Sequence, residues 1–140
     1  MKNSKLFLSM LIFLPTILLS QIADAQIPAS VQKYFERNRL GPTLLSVKIV
    51  DDDESGRILK VKIIATRNKS GNDLAFAFAA AAAVANMAEL SIDLLWVEMD
   101  INFKDLETTM AIAPANCTID AIILKNTETE KWWQDCLQFP

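Results

Sequence analysis

Apolar and polar positions along the chain alternate with two different periods. Leu45, Val47 and Ile49 alternate with Ser46 and Lys48, and Leu59, Val61, Ile63 and Ala65 alternate with Lys60 and Lys62, the period of strands buried on one face. The stretch Asp51-Asp52-Asp53-Glu54-Ser55-Gly56 between them has turn composition, which predicts a hairpin. A second hairpin is predicted further on. Leu95, Val97, Met99, Ile101 and Phe103 oppose Trp96, Glu98, Asp100 and Asn102. After a turn at Lys104-Asp105, Leu106, Thr108, Met110 and Ile112 alternate with Glu107 and Thr109 as far as Pro114.

The helical period marks the remaining segments. Val31, Tyr34 and Phe35 after Pro28 predict a helix over 29–40, stopped by Gly41-Pro42. Asn72 or Asp73 is placed to cap a helix running to about Leu90, within which nine of the fourteen residues from Ala75 to Ala88 are alanine. Phe76, Val84, Met87 and Leu90 share a face with Ala80 and Ala83, and this face is expected on the sheet. Leu74 and Phe78 point the other way beside Ala81 and Ala85, so the back of the helix also needs cover, from a terminal helix or from a second subunit. A helix over 117–125 follows Asn116. Thr127 and Glu130 have the spacing of a capping box for a last helix carrying Trp132, Trp133, Cys136 and Leu137. The expected fold class is α+β: an antiparallel sheet of about four strands in two hairpins, packed on a long Ala-rich helix, with an N-terminal helix and two short C-terminal helices.

The first 25 residues stand apart. Lys2 and Lys5 precede the apolar run Leu6–Ser20, and Ala23-Asp24-Ala25 offers a small-residue cleavage site, the layout of a signal peptide. An apolar core of about 15 residues broken by Pro15 is short for a membrane span, which needs about 20. Residues 26–140 then form a single domain, secreted or periplasmic, with no stable membrane insertion. Export changes the reading of the two cysteines, Cys117 and Cys136: an even pair in an oxidising compartment predicts a disulfide. Closing a loop of about 20 residues would contribute about 3 kcal/mol.

Composition narrows the chemistry. The chain has 140 residues and no histidine, which excludes histidine-based nucleophile systems and imidazole metal sites. Removing Lys2, Lys5 and Asp24 from 14 basic and 17 acidic residues leaves 12 and 16, a net charge of −4. That acidic balance argues against nucleic acid as a partner. Three glycines, none grouped, provide no phosphate loop.

Four patterns have the residue types of a site. Asp51-x-Asp53-x-Ser55-Gly56 matches the first half of a calcium loop, but the position that needs a bidentate carboxylate is Lys62. Glu98 and Asp100 stand two apart on one strand face, about 6.5–7 Å between Cα atoms, a separation that suits paired-carboxylate catalysis. The lysines at matching positions of the first hairpin, Lys48, Lys60 and Lys62, instead suggest cross-strand charge pairing. Ser46 and Lys48 share a face without any sign of an oxyanion hole, and Asn116-Cys117-Thr118 is a formal glycosylation sequon with a bridged middle residue.

No catalytic residue, metal ligand or cofactor is assigned. The expected function is an exported, non-catalytic domain for protein interaction or self-association. Its contact residues are Trp96, a large aromatic on a charged strand face, and Leu74 and Phe78 on the back of the Ala-rich helix. The alternatives are a small hydrolase acting on envelope polymers through Glu98 and Asp100, and a carrier holding a small apolar ligand in space that the alanines leave between helix and sheet.

Overall fold

The computed structural model describes residues 21–102 and 106–140. The expected leader therefore lies outside the described residues apart from 21–25, as do Phe103 and the turn at Lys104-Asp105. Among the described residues no helix is long and apolar enough to cross a membrane. Helix α1 (Ile27–Glu36) follows a short turn and precedes β1 (Thr43–Asp52) and β2 (Gly56–Ala65). Helix α2 (Ser70–Met87) leads to β3 (Leu94–Asn102) and β4 (Leu106–Pro114). The C-terminal part comprises α3 (Ala115–Thr118), a π turn over Ile119–Ile123, and α4 (Thr129–Asp135).

The sheet is mixed, not antiparallel. Its four strands lie in the order β1-β2-β3-β4; the two hairpins are antiparallel pairs, but β2 and β3 run parallel. The cause is the connection. An 18-residue helix rises about 1.5 Å per residue and carries the chain back along the sheet, so the next strand starts from the end where β2 began. Alternation specifies which side chains face inward but carries no strand direction, so the pattern was compatible with either pairing.

All four strands present their apolar set to the same side. Leu59, Val61 and Ile63 of β2 and Leu95, Val97 and Met99 of β3 are buried there with Ala111 and Ala113 of β4. Ile27, Val31 and Phe35 of α1 cover one part of this face, and α2 and the C-terminal segment cover the rest. Within α2 the expected sheet-side stripe is buried at Ala80 and Val84 but not at its C-terminal end. Leu74, Ala77, Phe78, Ala81 and Val84 are in the core, whereas Met87 and Leu90 are 44% and 54% exposed. Phe76 packs sideways against Tyr34 and Phe35 of α1, with ring centroids 5.6 and 5.0 Å apart. The stripe ends early because α2 stops at Met87, and on the other flank Phe78 is buried against Trp132 of the C-terminal segment.

Ala77, Ala80, Ala81 and Ala82 have no exposed surface at all. The small side chains let helix and sheet approach closely.

Two local expectations are corrected. No side chain caps α4: the Thr127 hydroxyl donates to Asp120 Oδ2 at 3.2 Å instead of capping the helix. Neither Asn72 nor Asp73 caps α2, which starts at Ser70 after Lys69. The β1–β2 turn closes as its composition requires. Ser55 donates its backbone N–H to Asp52 Oδ2 at 2.9 Å, and this bond holds the Asp52 carboxyl below its ordinary value of 3.8.

Gly56 ends the turn at φ +79°, and a Cβ there would collide with the Asp93 carboxylate, which accepts the Arg57 backbone N–H at 2.8 Å. Gly56→Ala is expected to destabilise the domain by at least about 1 kcal/mol through this strain and clash, measured by urea denaturation.

The N-terminal residues 21–25 pack on the domain. Ile22 exchanges backbone hydrogen bonds with Met87 and Glu89 at 2.7 and 2.8 Å, and Asp24 pairs with Arg57. Cleavage after Ala25 would remove both contacts.

Candidate functional site

The helices and C-terminal segment occupy one side of the sheet, and the other side carries the polar set. The strand registers place Lys48, Lys60, Trp96 and Ile112 in one row across this face. Ser46, Lys62, Glu98 and Met110 form the next row, and Val50, Ile58, Leu94 and Pro114 lie on the far side of the first. Trp96 is half-buried, with the Lys60 ammonium 4.3 Å from its ring centroid. This is a cation–π contact that also lays the lysine stem along the indole. A shallow depression of about 320 Å³ lies here, lined by Ser46, Lys48, Lys60, Lys62, Trp96 and Glu98.

Charges on this face are sorted. Lys62 Nζ lies 3.3 Å from Glu98 Oε2 and 3.6 Å from Asp100 Oδ2. The hydrogen bond to Glu98, and then the charge of Asp100, hold the Lys62 ammonium above its ordinary value of 10.5. Asp100 also accepts from the Thr108 hydroxyl at 3.0 Å. Among the described residues neither Lys48 nor Lys60 has a carboxylate within ion-pair distance.

A raised lysine value adds stability fully present below the unfolded value of 10.5 and lost as pH climbs through the folded value. The difference in denaturation midpoint between the native chain and Lys62→Met is therefore expected to stay constant through neutral pH and to change only above the ordinary lysine range.

The three expected contact residues separate. Trp96 lies on the open sheet face, but Leu74 and Phe78 are 2% and 0% exposed. Phe78 meets Trp132 of α4 edge-on at 5.2 Å between centroids, so the chain's own C-terminus covers the helix. Leu74 and Phe78 are core residues in this fold, and no partner reaches them without displacing α4. Trp132 is fully buried while Trp133 is half-buried. Cys117 and Cys136 form the expected disulfide pair, with Cα atoms 6.4 Å apart, inside the usual bridging range.

The hairpin tip places its acidic residues in structural roles, with Asp52 closing the turn and Asp51 3.7 Å from Arg57. Among the described residues no group of three acidic or cysteine side chains is gathered closely enough to hold a metal ion. The separated Lys48 and Lys60 were individually visible as sequence positions, but their lack of an ion-pair partner on the face depends on strand order.

Compared with protein-family models, with curated proteins and with solved structures, the chain matches none.

Proposed function

We propose that the chain is an exported, non-catalytic binding domain whose contact surface is the open face of the sheet centred on Trp96. The observation that carries this reading is Trp96 itself: a half-buried indole with a lysine laid over it, on the face opposite the core. A large amphipathic aromatic flanked by charge is the residue type that most often anchors an interface. Export is supported by the charged, apolar and small-residue layout of residues 1–25 and by the bridged cysteine pair.

Glu98 and Asp100 fit a structural role better than a hydrolytic one. Paired-carboxylate hydrolysis needs one carboxyl kept protonated in an apolar pocket. Here a lysine stands between the two on an open face.

The test is site-specific photocrosslinking in intact cells. A benzophenone amino acid replacing Trp96 is expected to yield a discrete crosslinked species, whereas the same probe replacing Glu54 at the hairpin tip yields none. No discrete species from position 96, or equal products from both positions, would overturn the reading.

A further inference from the structure

We propose that the occupant of the open sheet face is a second copy of this chain, packed face to face about a two-fold axis. This rests on the sheet-face reading above and names its partner. The argument begins with charge. Among the described residues Lys48 and Lys60, on β1 and β2, have no carboxylate within ion-pair distance, while Glu98 and Asp100 lie on β3, two and four residues beyond Trp96, and share the ammonium of Lys62. A face of one sign would fit a partner of the other sign. A face divided into a basic and an acidic part fits itself, as an isologous interface requires.

The lattice of the sheet makes the match specific. Strands lie about 4.8 Å apart, and residues two apart on a strand about 6.7 Å. Take a two-fold axis in the plane of the face, midway between Lys60 and Glu98 and perpendicular to the line joining them. It seats Lys60 over the partner subunit's Glu98, and on the same spacings it brings Lys48 to within about 3 Å of the position over the partner subunit's Asp100. One operator therefore pairs both lysines; it also sets Lys62 near its own copy, a like-charge contact that Glu98 and Asp100 offset. The axis passes within about 2 Å of Trp96, so the indole meets its own copy at the centre. The two sheets then cross at about 70°, near the orthogonal class of sheet packing.

Four strands about 4.8 Å apart make a face about 19 Å wide, and two such faces crossing at about 70° overlap over about 400 Å², or about 800 Å² counted on both copies, in the range of weak, transient contacts. The dimer is therefore weak and reversible.

The experiment is sedimentation equilibrium on the full purified chain, free of other proteins, over a range of concentrations. The expected result is a monomer–dimer equilibrium that shifts toward monomer as salt is raised. K48E/K60E and E98K/D100K are each expected to weaken self-association by at least about tenfold, because like charges then face one another. Mixing the two variants restores dimer, since each supplies the charges the other lacks. That rescue requires both variants to be folded; if either fails to fold, the concentration and salt dependence of the native chain decides.

A native chain that stays monomeric to its solubility limit overturns the proposal, as does a dimer unaffected by salt, or by these substitutions in folded variants. If the chain is monomeric while position 96 still crosslinks in cells to a species of another mass, the second copy is wrong and the sheet-face reading stands. If crosslinking fails as well, both are wrong.

Discussion

Replacing Trp132 with alanine is expected to lower the unfolding free energy by about 3–5 kcal/mol, the largest effect of any single substitution in this domain. Trp132 is the largest fully buried side chain, and its ring stands edge-on to Phe78 at 5.2 Å and to Trp133 at 5.5 Å. Its Nε1–H donates to Thr118 Oγ1 at 2.9 Å, and the Thr118 hydroxyl in turn donates to the Pro114 carbonyl at 2.9 Å. Truncation therefore leaves a cavity beside Phe78 and takes one partner from a buried hydroxyl. Trp132→Phe separates the two effects. It keeps most of the ring and removes only the N–H, while Thr118 retains its bond to Pro114; a loss of about 1 kcal/mol is expected. Urea denaturation followed by circular dichroism checks both. Equal losses for the two variants would mean that the hydrogen bond, not the ring, fastens α4 to the domain.

The importance of Trp132 could be anticipated from the sequence only in part. Two adjacent tryptophans on one short helix cannot both turn inward, but which one does depends on how α4 is set down, and that setting involves Asp120. Its carboxylate accepts from Asn126 Nδ2 at 2.8 Å and from the Thr127 hydroxyl at 3.2 Å. The hydroxyl that would have capped α4 is thereby used to fasten the loop before it. Such competition between partners of nearly equal worth is invisible to a spacing rule.

The strands are the opposite case. A period of two is a statement about burial, and Leu59, Val61 and Ile63, or Leu95, Val97 and Met99, obey it because one sheet face is dry. Nothing in that period distinguishes parallel from antiparallel neighbours. Trp96 and the lysines of β2 stand on the polar face that alternation predicts, while the parallel juxtaposition of Lys60 with Trp96 and Lys62 with Glu98 depends on the path of α2. The helix is the least legible element. A run of alanines fits a core and a close contact equally well, so only its few large residues distinguish its faces, and whether Phe78 meets a terminal helix or a second subunit depends on where α4 is set down.

Removing the disulfide by replacing both Cys117 and Cys136 with serine is expected to cost about 3 kcal/mol, the stabilisation that closing a loop of this length provides. The bond joins residues 19 apart in sequence, and the position of those residues determines what its loss does. Cys117 lies in α3, and Cys136 immediately follows α4, so the bridge ties both ends of the cover over Leu74 and Phe78. Without it α4 is held by Trp132, by Leu137, which is 7% exposed, and by the Gln138 hydrogen bonds to Ile112 at 2.8 Å. With those contacts the native fold is expected to persist at ambient temperature, while the local opening of α4 becomes cheaper than global unfolding. Hydrogen exchange should therefore accelerate at the amides of Trp132, Cys136 and Gln138 before it does in β2 and β3. Uniform acceleration across the whole domain would show instead that α4 and the sheet open as one unit. Combining the double serine variant with Trp132→Phe provides the decisive comparison: both act on the same cover, so their effects should depart from additivity by more than about 0.5 kcal/mol.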